Sequence, residues 1–353
     1  MVGDNARPQI SVCIPAYNRP ELLPALLDSI LGQDFRDFEI LVSEDGSPAR
    51  AEIRAIVERY ADRYPGRVRY HENARNLGYD GNLRRLVELA RGEYCLFMGN
   101  DDLLAPEALA AVAGALKRHP GVGVVLRSYA TFEGTPENVI QIFRYFDREL
   151  FFPPGPGTIV TFFRRSVVIS GLVIHRNTAQ RHATDRFDGT LLYQLYLVGS
   201  ILTHMNGVSL PNILALYRMG GVPDFGNSES EKGRFVPKQQ TPESSLSFMR
   251  GMLDIARDLE ARSGAQVFRG IFRDIGNYSY PVLAIQARQP LGVFLKYCFG
   301  LMRMGFWKSG MFYVYTLALL VFGIRGSDRI IGFIKRRLGR TPVLGQIYQG
   351  KSV

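Results

Sequence analysis

Short apolar runs alternate with amphipathic ones along the first 132 residues, and the alternation predicts strands joined by helices. "QISVCIPAYN", residues 9–18, is a compact apolar run that ends in Pro and Asn, as a strand entering a loop does. "PELLPALLDSILGQ" then carries apolar residues at helical spacing and closes near Gly32. Pro24 falls in its first turn, where a missing N–H costs little. "FEILVSEDGS" predicts a second strand and turn, "AEIRAIVERYADRY" a helix, "VRYHEN" a third strand and "GNLRRLVELA" another helix. "EYCLFMGNDDL" predicts a fourth strand that runs straight into two adjacent carboxylates. Pro106–His119 is the next helical pattern, and "VGVVLRSYATF" a fifth strand.

Strands separated by helices of this length predict an α/β fold, a Rossmann-like, mostly parallel sheet flanked by helices. Ligands of such sheets collect beyond the carboxyl ends of the strands. Those ends carry Pro15-Ala16-Tyr17-Asn18, Glu44-Asp45-Gly46-Ser47 and Asn100-Asp101-Asp102, so three polar clusters converge on one edge. Taken singly, each has a plain structural explanation: a core tyrosine, a turn with a helix cap, a solvated strand end. Neither G-x-G-x-x-G after the first strand nor G-x-x-x-x-G-K-[ST] occurs, so a nucleotide here must be held by other means.

With these residues in view, "ISVCIPAYNRPELLPALLDSILGQDFRDFEILVSEDGS" resembles the start of an inverting family 2 glycosyltransferase of GT-A fold. "NLGYDGNLRRLVELARGEYCLFMGNDDLL" is similar to that family's second signature. The resemblance covers residues 8–132 closely and extends more loosely to about 220. The ending "FMGNDD" resembles members that build bacterial surface polysaccharides, including deoxysugar transferases. The resemblance implies that Pro15, Tyr17 and Asn18 line the base and ribose pocket, and that Glu44 or Asp45 contacts the nucleobase. It brings Asp80 and Asn82 toward the nucleotide, and makes Asn100, Asp101 and Asp102 the metal-binding turn. Gly99 stands where many relatives have a further aspartate. Hard oxygen ligands suit Mg²⁺ or Mn²⁺, which shares its shell with substrate phosphates. Asp101 is the first choice of direct ligand; Asp102 binds directly, binds through water, or caps the next helix.

Inverting transfer needs a carboxylate to take the acceptor hydroxyl proton. The matching run is "RFDGTLLYQLYLVG", where counting back from Gly199 gives Asp188, with Asp185 as runner-up. Phe187 replaces the family's preceding acid, and Asp188 could instead cap a helix beginning at Gly189. Gly171 lies where relatives pass backbone close to donor and acceptor, and Tyr217-Arg218 resembles the strand return near the pyrophosphate. Arg164 and Arg165 face either an anionic acceptor or solvent. "FFPPGPGT" reads as a rigid bend, His175, Arg176 and His204 as weaker site candidates, and "GGVPDFGNSESEKGRF" as a lid or a long surface loop.

These readings divide the chain into a catalytic part at 1–220, with a nucleotide-sugar half at 1–132 and an acceptor half at 133–220. A polar loop at 221–243 and a helical, partly amphipathic extension at 244–353 follow. Charge then changes the picture of the extension. The chain is +10 overall, and from Arg303 to Arg340 eight Lys or Arg face only Asp328. Aromatics beside these cations predict a membrane-surface segment over 291–340, on anionic lipid at the cytoplasmic face, within reach of a lipid-linked glycan acceptor. The longest uncharged run there, Ser309–Ile324, is 16 residues, short of the roughly 20 that a spanning helix needs. The same apolar face could serve a homo-oligomer or pack on the catalytic part. Nucleic acid is excluded as partner, because the cations are mixed with long aliphatic runs and no RNA-binding aromatic motif occurs. A nucleotidyltransferase would need a Gly-rich, basic opening that is missing; a catalytically inactive glycan- or nucleotide-binding relative, or one acting on a soluble or protein acceptor, stays open. Three scattered cysteines predict buried thiols, five histidines predict no all-protein zinc site, and the absence of a leader pattern predicts no secretion.

Overall fold

The apolar runs pair side by side in the computed structural model, which describes residues 7–221 and 223–337. In chain order the first half comprises β1 (Ile10–Ala16), α1 (Leu23–Leu31), β2 (Phe38–Glu44), α2 (Arg50–Arg63), β3 (Val68–Glu72) and α3 (Gly78–Leu89). β4 (Tyr94–Phe97), the two-residue β5 (Leu103–Leu104), α4 (Ala108–Arg118) and β6 (Val122–Phe132) follow. Each element read from the alternation is present within a few residues. Pro24 sits in the first turn of α1.

The chain after β6 adds β7 (Val139–Phe143), β8 (Leu150–Phe152), α5 (Pro156–Phe163), β9 (Leu172–His175), α6 (Arg176–Arg181), α7 (Tyr193–Ile201) and β10 (Asn206–Arg218). The rigid bend expected over 151–158 is the end of β8 and the start of α5. Among the described residues the strands form one sheet, ordered β3-β2-β1-β4-β9-β6-β10-β5, with β7 on β6 and β8 on β10. β1 to β4 are parallel. β9 is antiparallel to both β4 and β6, so β6 and β10 keep the direction of the first four. The sheet is therefore mixed, with its parallel majority set by the front half. Gly171 makes the reversal into β9: its φ of +80° is open to glycine, and a Cβ there would lie 3.1 Å from the Arg127 side chain.

Alternation along β1 divides the core. Ile10, Val12 and Ile14 join a cluster with α1, α2 and α4, whereas Cys13 faces a second cluster containing α3, α5 and α7. That second cluster continues without a break into α8 (Pro242–Ser263), α9 (Phe268–Asn277), α10 (Tyr280–Gln286), α11 (Leu291–Arg303) and α12 (Gly310–Arg337). α8 starts where the Thr241 hydroxyl accepts from the Ser244 N–H, and stops at Gly264 with φ +66°. Arg164 anchors α9 to the segment after α5: Nε donates to Asp274 at 2.7 Å, and the guanidinium lies 3.7 Å from the Tyr278 ring centre. Arg165 lies 3.8 Å from the same carboxylate, so both arginines serve this junction. Cys13, Cys95 and Cys298 are free and buried.

α12 is interrupted at Gly323, whose φ and ψ of 62° and −176° are not helical. Residues 310–331 are long and apolar enough by composition to cross a membrane, and little of their most apolar part is buried. α11 and α12 turn one face inward with Phe294, Tyr297, Leu301, Phe312 and Leu319, and leave Leu295, Phe299, Leu317 and Val321 exposed on the other. Residues 338–340 of the expected basic segment lie outside the described residues.

Candidate active site at the carboxyl edge of the sheet

The three strand ends meet. The Asp45 N–H donates to the Ala16 carbonyl at 3.0 Å, the Asn100 amide donates to the Asn18 carbonyl at 3.0 Å, and Arg19 pairs with Asp101. Pro15, in register with Ser43, and the half-buried Tyr17 lie at the end of β1. Burial pushes the Tyr17 phenol above its ordinary pKa.

Glu44 and Asp45 divide their work. Both oxygens of Glu44 are turned back on their own loop, accepting from the Gly46 N–H at 2.8 Å and the Ser47 N–H at 2.9 Å. Glu44 therefore shapes its own turn, whereas Asp45 reaches across to neighbouring segments. Oδ1 of Asp45 accepts from the Asn73 amide and the Leu77 N–H. Burial is the larger influence and raises its pKa to about 6, against those donors. Asn82 is a support one step further back. Its Nδ2 donates to the Ser43 carbonyl at 2.9 Å, and its Oδ1 accepts from the same Asn73 that holds Asp45.

Asp80, at the start of α3, is buried, and its hydrogen bonds go to the loop before α7: Oδ2 accepts from the Thr190 and Leu191 N–H groups and Oδ1 from Tyr193. It thus caps α7, which begins at Tyr193 and not at Gly189. Asp188 does not cap that helix either. Its carboxylate takes both guanidinium nitrogens of Arg84, at 2.6 and 2.8 Å. Asp185 is exposed, and its carbonyl accepts from the Asp188 N–H.

The Asn100-Asp101-Asp102 turn is asymmetric. Asp102 is 2% exposed and points inward: Oδ1 accepts from the Arg218 N–H at 2.9 Å, and Oδ2 accepts from the Ser170 hydroxyl. It neither caps α4 nor faces the loops above. Burial first, and the neighbouring Asp101 second, raise its pKa to about 8. Ser170 also accepts from the Gly99 N–H, and its carbonyl accepts from Arg127. Arg127 is fully buried and donates also to the carbonyls of Arg165 and Val168. Arg218 closes the turn from the other side, with Nε donating to the Asp101 carbonyl at 2.9 Å. Asp101, its side chain 21% exposed, is the carboxylate this scaffold presents outward.

Over this edge runs the segment after β10. Asp224 accepts from the Asn18 amide at 2.7 Å, and Glu231 accepts from the Tyr79 and Gly226 N–H groups. Arg234 donates to the Asp188 and Gly189 carbonyls. A Cβ on Gly189 would lie 1.9 Å from the Ser230 carbonyl oxygen, so only glycine admits this contact. One strap therefore touches both the Asn18 loop and the Asp188 loop. His175 lies away from this edge and caps α6, accepting from the Thr178 N–H.

No group of three or more His, Cys, Asp or Glu able to hold a metal occurs among the described residues. The donor set still fits Mg²⁺ or Mn²⁺ in one way. Such an ion is commonly held by one or two carboxylates together with substrate phosphates and water. Asp101 supplies one outward carboxylate, and Asp102 orients the turn from behind.

Sequence analysis had not singled out Arg19, Ser170, Arg127, Arg84 or Glu231. Arg127 carried a visible signal, a cation inside the apolar run "VGVVLRSYATF", and Arg19 directly follows "PAYN".

Residues 11–172 match the family described as Glycosyl transferase family 2. This segment is a family 2 glycosyltransferase domain. The abequosyltransferase RfbV of Salmonella typhimurium is 42% identical over 103 residues, 29% of this chain and 30% of that protein. The Campylobacter jejuni GalNAc(5)-diNAcBac-PP-undecaprenol beta-1,3-glucosyltransferase is 34% identical over 106 residues, 30% of this chain and 33% of that protein. The chain thus matches about a third of the length of each of these curated relatives. S. aureus TarS 1–349 superposes with a TM-score of 0.60 at 16% identity, covering 98% of both chains, and establishes the fold. The matched segment stops at the first residue of β9, so the strap and the C-terminal helices lie outside it.

Proposed function

We propose that the protein transfers a sugar, with inversion, from a nucleoside-diphosphate sugar to a glycan acceptor carried on a polyprenyl diphosphate lipid. The reading is of a bacterial surface-glycan transferase working at the cytoplasmic face of the membrane. The observation that carries it is the meeting of three strand-end loops around one outward carboxylate, Asp101, in a family 2 domain. The base lies against Tyr17 with Asp45 accepting from its edge, while Asn18 and Asn100 close the ribose side. A divalent cation held by Asp101 and the donor phosphates would supply neutralisation of the leaving diphosphate. Arg218 and Ser170 keep the turn that carries Asp101 in place.

Asp188 takes the proton from the attacking acceptor hydroxyl. Arg84 fixes the orientation of its carboxylate, and each oxygen keeps a lone pair for the incoming hydroxyl. The strap that joins the Asn18 and Asp188 loops shields both from water. The Campylobacter relative is named for an undecaprenol-linked substrate, and the exposed apolar faces of α11 and α12 supply a matching lipid surface here. Arg288, Lys296, Lys308 and Arg325 are exposed around those faces and suit anionic headgroups. Gly323 divides α12, and its arm of 13 residues at 310–322 is about 20 Å long, short of a hydrocarbon core of about 30 Å, so α12 lies in the interface.

The test is release of nucleoside diphosphate from UDP, GDP, CDP and dTDP sugars with Mn²⁺ or Mg²⁺ and bacterial membrane lipid as acceptor. Release from one donor, lost in Asp101→Ala, is expected. Failure of every donor and every nucleoside diphosphate to bind by calorimetry would overturn the reading of the three loops.

A further inference from the structure

Arg19 has no part in the transfer scheme above, yet the fold spends strain on its placement. Asn18 and Arg19 are both left-handed, with φ of 55° and 58°. A non-glycine residue there is strained, and it persists only where its surroundings over-determine it. Those surroundings are visible: the Asn100 amide donates to the Asn18 carbonyl, and the Asn18 amide donates to Asp224. The outcome is a guanidinium set on the Asp101 carboxylate, with the two side chains 24% and 21% exposed. Gly221 closes over the pair; a Cβ there would lie 3.5 Å from Asp101 Oδ2 and 3.6 Å from Arg19 Nη1.

We propose that Arg19 is the resident counter-ion of Asp101 and that a divalent cation reaching this carboxylate displaces it. The inference rests on the reading of Asp101 as the metal ligand. Two cations a few ångströms apart on one carboxylate repel each other, so the arginine and the metal ion compete for the same oxygens. Without donor, the pair spares the site an unpaired anion; with donor and metal, the guanidinium gives way. A purely structural tether makes the opposite forecast. Removing a tether loosens Asp101 and weakens metal binding, whereas removing a competitor strengthens it.

The experiment titrates Mn²⁺ into the full chain without nucleotide and counts free Mn²⁺ by electron paramagnetic resonance. It compares wild type, Arg19→Gln, Arg19→Lys and Asp101→Asn, with thermal unfolding as the check on folding. Arg19→Gln is expected to bind Mn²⁺ roughly three- to five-fold more tightly, the scale of a partly exposed ion pair. Arg19→Lys, with a single ammonium in place of the fork, should fall between the two and serves alone if the Gln variant does not fold. Unchanged or weaker Mn²⁺ binding in the folded Arg19 variants overturns the inference. If Asp101→Asn loses Mn²⁺ while the Arg19 variants gain nothing, the metal assignment stands and only the counter-ion role fails. If Asp101→Asn keeps all its Mn²⁺, both fall.

Discussion

Adjacent residues of one type have opposite duties at this site, and side-chain direction decides which. Asp101 faces out and Asp102 faces in; Asp45 faces the loops and Glu44 faces its own turn. Asp101→Ala is expected to lower turnover about 100-fold or more, the scale of losing one preorganised charge contact. Asp188→Asn should lower kcat by about 10²- to 10⁴-fold with little change in donor KM, as loss of a general base does. Steady-state kinetics on the donor found by the panel checks both. Asp45 gives a pH dependence of defined sign. Below about 6 it is protonated and offers a base N–H a poorer acceptor; above 6 it is a carboxylate. Nucleotide affinity should therefore rise as pH rises through 6 and level off, and Asp45→Asn should flatten that profile in calorimetric titrations. The residue types at these strand ends were legible in the sequence, but their directions were not. "SEDGS" and "GNDD" each offer two acids, and only the hydrogen-bonding partners separate them. Those partners, such as Ser170 and Arg218 behind Asp102, lie 68 and 116 residues away.

At the scale of elements, local pattern sufficed wherever an element is bounded by its own residues. β1 to β4 and α1 to α4 are read from apolar spacing, Pro24 and Gly32, because each buries its own stripe against its sequence neighbours. β5, β7 and β8 were not legible, being short strands whose pairing comes from β6 and β10 across the fold. Of the two readings of Asp188, base or cap of a helix beginning at Gly189, the cap is not seen: α7 begins at Tyr193, and its first N–H is held by Asp80, supplied from α3, 113 residues before Tyr193. Asp80→Ala would strand three N–H groups and is expected to destabilise the fold by about 2 kcal/mol or more, measured by urea unfolding. Asp188→Ala leaves that cap intact and should cost markedly less.

Across the whole molecule, the sheet and the C-terminal helices share one core, so the apolar faces of α11 and α12 are packed to the same body as the proposed donor site. Binding to vesicles containing anionic lipid is expected, weaker at high salt because exposed cations supply part of the attraction. Phe299→Glu with Leu317→Glu should abolish it, as read by vesicle flotation. Both positions are 60% exposed or more, so the thermal midpoint should hardly move. The sequence carried this surface in outline, as aromatics among cations. Which face of each helix points outward depended on packing against α8 to α10.

Trp307 is the one tryptophan in the chain, 54% exposed between α11 and α12, with the Lys308 ammonium 5.1 Å from its ring centre. Its emission is therefore an optical gauge of a single place on the molecule. Immersion in acyl chains would shift that emission to the blue and expose it to quenching by brominated lipid. Nucleotide at the sheet edge is expected to leave it unchanged, so one cuvette can tell lipid contact apart from donor contact without any added label.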